Sequence, residues 1–74
     1  MTANELEQKL LAGLPDAAIR AQDMTGGGDH WQVRIRAPQF KGKSMVEQHQ
    51  MVYAILGDLM KSEIHALSLD TDES

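Results

Sequence analysis

The sequence contains no cysteine. That excludes disulfide staples, a thiolate nucleophile and any metal site built on thiolates from this chain alone. Aromatic side chains are nearly as scarce: Trp31, Phe40 and Tyr53 are the whole set, so the core must be assembled from Leu, Ile, Val and Met. No apolar run approaches the roughly 20 residues that a membrane span requires. The N-terminus also lacks the charged-then-apolar layout of a secretory signal, so a cytoplasmic protein without membrane association is expected. Strong charge of one sign is missing too. The net charge is −4, and Asp70, Asp72 and Glu73 lie near the C-terminal end, leaving seven basic and eight acidic side chains before them. Between His30 and Met45 the charged residues are all basic: Arg34, Arg36, Lys41 and Lys43. This mild positive patch is a candidate docking surface for an acidic partner, but it falls short of the strongly basic face usual for nucleic-acid binding.

Within 74 residues, 42% of them hydrophobic, one folded domain is expected. A domain of this size buries only about 60% of the surface that its unfolded chain exposes. Such a core leaves little room for a deep pocket backed by supporting residues. The expectation is a domain that works by binding partners, not an enzyme.

Two helices and three strands are legible. Thr2 followed by Glu5 fits a capping box, with Asn4 as a competing cap, and Leu6, Leu10, Leu11 and Leu14 form one apolar stripe. Gly13 and Pro15 punctuate its end. Residues 17–24 read as a strand, and Thr25-Gly26-Gly27-Gly28-Asp29 as a turn or flexible loop. Trp31, Val33, Ile35 and Ala37 then alternate with His30, Gln32, Arg34 and Arg36, which is the period of a half-buried strand, and Pro38 stops it. Ser44 with Glu47 makes a second capping box. Met45, His49, Val52, Leu56 and Leu59 or Met60 keep helical spacing, predicting one helix to Lys61. Residues 64–69 read as a last strand and 70–74 as a solvated acidic tail. A right-handed crossover through the long helix should lay the last strand parallel to the Trp31 strand. The result is an α+β fold, a two-layer α-β-β-α-β sandwich with a three-stranded mixed sheet, both helices on one face and the other face wet.

Phe40-Lys41-Gly42-Lys43-Ser44, Gln48-His49-Gln50-Met51-Val52-Tyr53 and Ile64-His65-Ala66-Leu67, in that order and spacing, resemble the BolA-like proteins. The resemblance runs from Glu5 to about Leu69. It implies a class II KH-like core and partnership with a monothiol glutaredoxin. The two proteins would share a [2Fe-2S] cluster in iron–sulfur trafficking, maturation or iron and redox regulation, with glutathione brought by the partner. It further implies that His65 is a cluster ligand and that a second ligand comes from the loop between the first two strands, where His30 stands. Family members with a cysteine there place it nearer Gly27, so this match is inexact. Two other features depart from the family pattern. Gln48-His49 stands where many members have Arg-His, and the C-terminal helix announced in many members by Thr-Pro and a tryptophan is not expected after the acidic tail.

Each candidate has a plainer reading beside it. His65 reads alternatively as a partly buried histidine satisfied by a backbone carbonyl, and His30 as an ordinary surface residue. His49, in phase with the apolar stripe, reads as a semi-buried histidine hydrogen-bonded near the hairpin. Met24, Met45, Met51 and Met60 read as core filler more readily than as an adaptable surface. The glycine run is no phosphate loop, because it lacks the strand–loop–helix context and the Lys-Ser/Thr ending. A tight iron–sulfur site needs ligands beyond two imidazoles, so none is expected to be held by the chain alone. The competing class is a KH-like nucleic-acid-binding transcriptional regulator, with the 40–44 connection meeting phosphates.

Overall fold

A computed structural model describes residues 1–73. Thr2 is the N-cap of α1 (Ala3–Gly13): its hydroxyl accepts from Glu5 N at 3.1 Å while the Glu5 carboxylate accepts from Thr2 N at 2.8 Å. The expected capping box is present and Asn4 does not compete. Leu6, Leu10 and Leu14 are buried and Leu11 half-buried. The hairpin follows as β1 (Ala18–Asp23) and β2 (His30–Arg36), antiparallel with Ala21 opposite Val33. A 3-10 turn (Pro38–Phe40) buries Phe40 and leads to α2 (Met45–Leu56), capped by Ser44 and Glu47 as the spacing predicts.

Two boundaries differ from the expectation. The long helix breaks at Gly57, whose φ of 52° lies where side-chain-bearing residues rarely go. A short α3 (Leu59–Ser62) follows. Leu59 and Met60 still pack against the core, so their spacing continued the apolar pattern across a real break. The last strand, β3, is Ala66–Asp72, not 64–69. Asp70 and Asp72 are therefore not a solvated tail: they pair in register with Arg34 and Arg36, and Thr71 between them is buried. Of the expected tail, Glu73 follows the strand exposed, and Ser74 lies outside the described residues.

The sheet order is β1-β2-β3, with β3 parallel to β2, as the crossover argument requires. Trp31, Val33 and Ile35 face the helices beside Ala21, Leu67, Leu69 and Thr71, and they meet Leu6, Leu10, Leu14, Val52 and Leu56 in one core. The stripe of α2 is rotated from the predicted one. Gln48, Val52 and Leu56 are its buried residues, while Met45 is 57% exposed. There the Gln48 side-chain amide donates to Lys43 O at 3.1 Å, while its Oε1 is buried without a partner. The methionines divide accordingly: Met24 and Met45 are exposed, whereas Met51 and Met60 pack on the core. Among the described residues no helix is long and apolar enough to cross a membrane.

Candidate functional site

The glycine loop between β1 and β2 is organised by one carboxylate. Asp23 accepts from Thr25 N at 3.2 Å and Gly26 N at 2.9 Å through one oxygen, and from Gly28 N at 2.8 Å through the other. Trp31, 2% exposed in the core, donates its indole N–H to Gly28 O at 3.0 Å. Of the two readings, turn or flexible loop, the structure shows a turn tied at both ends, which delivers Asp29 and His30 in a defined position. An acidic residue just before a glycine run is the signal that could have announced this, since Asp side chains turn back onto nearby N–H groups.

Asp29 connects the loop to the start of β3. Its backbone carbonyl accepts from His65 N at 2.7 Å and Ala66 N at 3.2 Å. His30 lies opposite Ala66 in the parallel pairing, so His65 arrives beside His30. The two imidazole rings stand 5.2 Å apart between centroids, tilted by 58°. Residues 35 positions apart in sequence therefore converge at one end of the sheet. His65 is exposed, which removes its plainer reading as a partly buried ring satisfied by a carbonyl; its backbone makes that bond and its side chain does not. His65 also sits just before β3, not within it as the expected strand over 64–69 would have it.

The Asp29 carboxylate lies 3.0 Å from His30 Nδ1. This hydrogen bond holds the Asp29 carboxyl below the usual carboxylate range. A carboxylate can only accept, so Nδ1 carries the proton in this contact and the neutral ring keeps a lone pair on Nε2. An imidazole oriented by a carboxylate on its far nitrogen is the usual arrangement of a histidine metal ligand. Among the described residues no three His, Cys, Asp or Glu side chains gather closely enough to hold a metal ion. His30 and His65 stand as a pair of imidazole nitrogen donors. Beside His65 a shallow depression of about 260 Å3 is lined by Asp29, Lys61, Glu63 and Ile64.

His49 belongs to neither the core nor this pair. It is half-buried, and its Nε2 is buried without a hydrogen-bond partner, so the expected bond near the hairpin is not formed there.

The predicted basic patch is not one patch. Arg34 and Arg36 project from the open sheet face, where Asp70 and Asp72 line the same depression and Arg34 Nε lies 3.3 Å from Asp70 Oδ2. Lys41 and Lys43 stand exposed in the connection before α2. The acids escaped notice because reading 70–74 as a tail hid their register with the arginines. Arg20, directly opposite Arg34 on β1, was missed for the complementary reason: the partner of a β residue is visible only once the hairpin register is known.

The family described as BolA-like protein matches residues 13–74. The chain is 39% identical over 70 residues to Protein BOLA2 of Arabidopsis thaliana, covering 93% of this chain and 74% of that one. It is 27% identical over 78 residues to the DNA-binding transcriptional regulator BolA of Escherichia coli, covering 96% and 74% respectively. The solved BolA domain of SufE1 from Arabidopsis thaliana superimposes with a TM-score of 0.86 at 30% identity, covering 96% of this chain and 90% of that chain.

Proposed function

The chain belongs to the BolA-like protein family, and from that premise we propose that it is an adaptor that binds a monothiol glutaredoxin and co-ligates a [2Fe-2S] cluster with it. The observation that carries the reading is the convergence of His30 and His65, with rings 5.2 Å apart and His30 oriented by Asp29. His65 and His30 supply two nitrogens. The glutaredoxin's cysteine and the glutathione sulfur complete the set, since this chain has no cysteine. The adaptor needs no catalytic residue of its own. Its place is in iron–sulfur trafficking, maturation or iron and redox regulation, in the cytoplasm.

The chain's own contribution is positional. Asp23 and Trp31 fix the glycine loop, Asp29 fixes the tautomer of His30 and pins the backbone of His65, and the depression beside His65 leaves room for a partner's approach. Imidazole ligation of one iron raises the potential of such a cluster relative to all-thiolate ligation.

The direct test mixes the protein with a monothiol glutaredoxin, glutathione, iron and sulfide, and records visible absorption and circular dichroism. The expected spectrum differs from that of the glutaredoxin alone, and both His65→Ala and His30→Ala return it toward that reference. A spectrum identical to the glutaredoxin's own, unchanged by either substitution, refutes the reading. Similarity to the Escherichia coli regulator favours a second reading, a DNA-binding transcriptional regulator. The net charge of −4 and the acids beside Arg34 and Arg36 weigh against it. Salt-dependent retention on DNA without any cluster spectrum would select it.

A further inference from the structure

The open sheet face is a small grid of polar side chains. From one end, its cross-strand rows are His30 with Ala66; Gln22, Gln32 and Ser68; Arg20, Arg34 and Asp70; and Ala18, Arg36 and Asp72. The third row places two arginines directly opposite each other on antiparallel strands, where Cα atoms of paired residues lie about 4.5–5.5 Å apart. Like charges in that position repel. Asp70 reaches Arg34 at 3.3 Å, but among the described residues no carboxylate lies within ion-pair distance of Arg20. Arg20, Arg34, Gln22 and Gln32 together line a basin of about 390 Å3 on this face. Two guanidinium forks flanked by two amides offer only donors to an oxyanion that enters between them, apart from the amide oxygens, and the guanidinium fork matches a carboxylate bidentately.

We propose that the basin is a carboxylate-binding site that docks a short acidic segment of a protein partner. Charge complementarity selects that occupant. A nucleic-acid strand would carry its next phosphates over Asp70 and Asp72 on a molecule whose net charge is −4, and that repulsion disfavours a long polyanion. A second copy stacked on this face is disfavoured by area. Three strands of about seven residues cover a few hundred Å2, well under the roughly 800 Å2 per partner of a stable interface. A carboxylate entering from the β1 side meets Arg20 first, with Asp70 on the far side of Arg34. The site is separate from the histidine pair and does not depend on the iron–sulfur reading.

The experiment is a titration of the isotope-labelled chain with a short oligoglutamate peptide, followed by amide and arginine side-chain NMR shifts. Saturable shifts confined to Arg20, Gln22, Gln32 and Arg34 are expected. Arg20→Gln should weaken binding by about tenfold, the loss of one charge-assisted hydrogen bond, without lowering the melting temperature, since it removes a repulsive pair. A control with Lys41→Gln and Lys43→Gln should bind as the wild type does. The absence of saturable shifts on this face, wild-type binding by Arg20→Gln, loss of binding in the lysine control, or displacement of the peptide by an equal concentration of single-stranded oligonucleotide would each overturn the proposal.

Discussion

Trp31→Phe tests how the core holds the site in place. The indole is among the largest fully buried side chains at 2% exposure, and its N–H bonds to Gly28 O at 3.0 Å, two residues before His30. Phenylalanine keeps one ring in the core, so the substitution removes the hydrogen bond and the remaining ring atoms without emptying the site. The hydrogen bond contributes about 1 kcal/mol net. The lost packing contributes about 1–2 kcal/mol, less than the 3–5 kcal/mol of removing the whole side chain. Together the change should cost about 2–3 kcal/mol, which for a domain of this size lowers the melting temperature by about 10–20 °C. Thermal unfolding followed by far-ultraviolet circular dichroism measures it without needing the tryptophan signal. A second readout ties the effect to the site: cross-ring contacts between His30 and His65 in NMR spectra should weaken in the variant below its transition. A fall of less than about 4 °C with those contacts intact would refute the argument that the indole anchors the loop.

Gly28 has φ 76° and an added Cβ would lie 2.7 Å from Met1 O, whereas Gly26, with φ 81°, has nothing near. Gly26→Ala should therefore cost about 1–2 kcal/mol of backbone strain and Gly28→Ala distinctly more, as denaturant midpoints would show; equal midpoints contradict the packing. The capping-box bonds from Thr2 to Glu5 and from Ser44 to Glu47 hold both glutamates below their ordinary value of 4.5. Because the folded values are depressed, the stability they contribute is present above pH 4.5 and is lost as pH falls through the folded values. The double variant Glu5→Gln with Glu47→Gln keeps both boxes but cannot titrate. Its stability should fall less steeply over that acid range, and a slope equal to the wild type's would contradict the assignment.

Features written in local periodicity were legible in the sequence. The alternation from His30 to Ala37 marks a strand because only its apolar half can enter the core, and both capping boxes declare helix starts through three-residue spacing. What depends on register was not. The acids of β3 read as a tail because alternating charges look solvated until Thr71 is seen to be buried between them. The helix break at Gly57 was hidden because Leu59 and Met60 continue the apolar phase across it. His49 seemed to belong to the buried stripe because it is in phase with Met45, Val52 and Leu56, yet Gln48 is the buried residue, its amide donating to Lys43 O. The approach of His30 to His65 has no local signature at all. It was anticipated from family resemblance alone, and it arises physically from parallel pairing with Asp29 as the clasp.

The most direct test of the central claim is pulsed electron paramagnetic resonance on the reduced complex, with only this chain labelled with 15N-histidine. The account predicts strong couplings from two labelled nitrogens, with His65→Ala and His30→Ala each removing one. A reduced cluster in the complex that shows no strongly coupled nitrogen from this chain would contradict it.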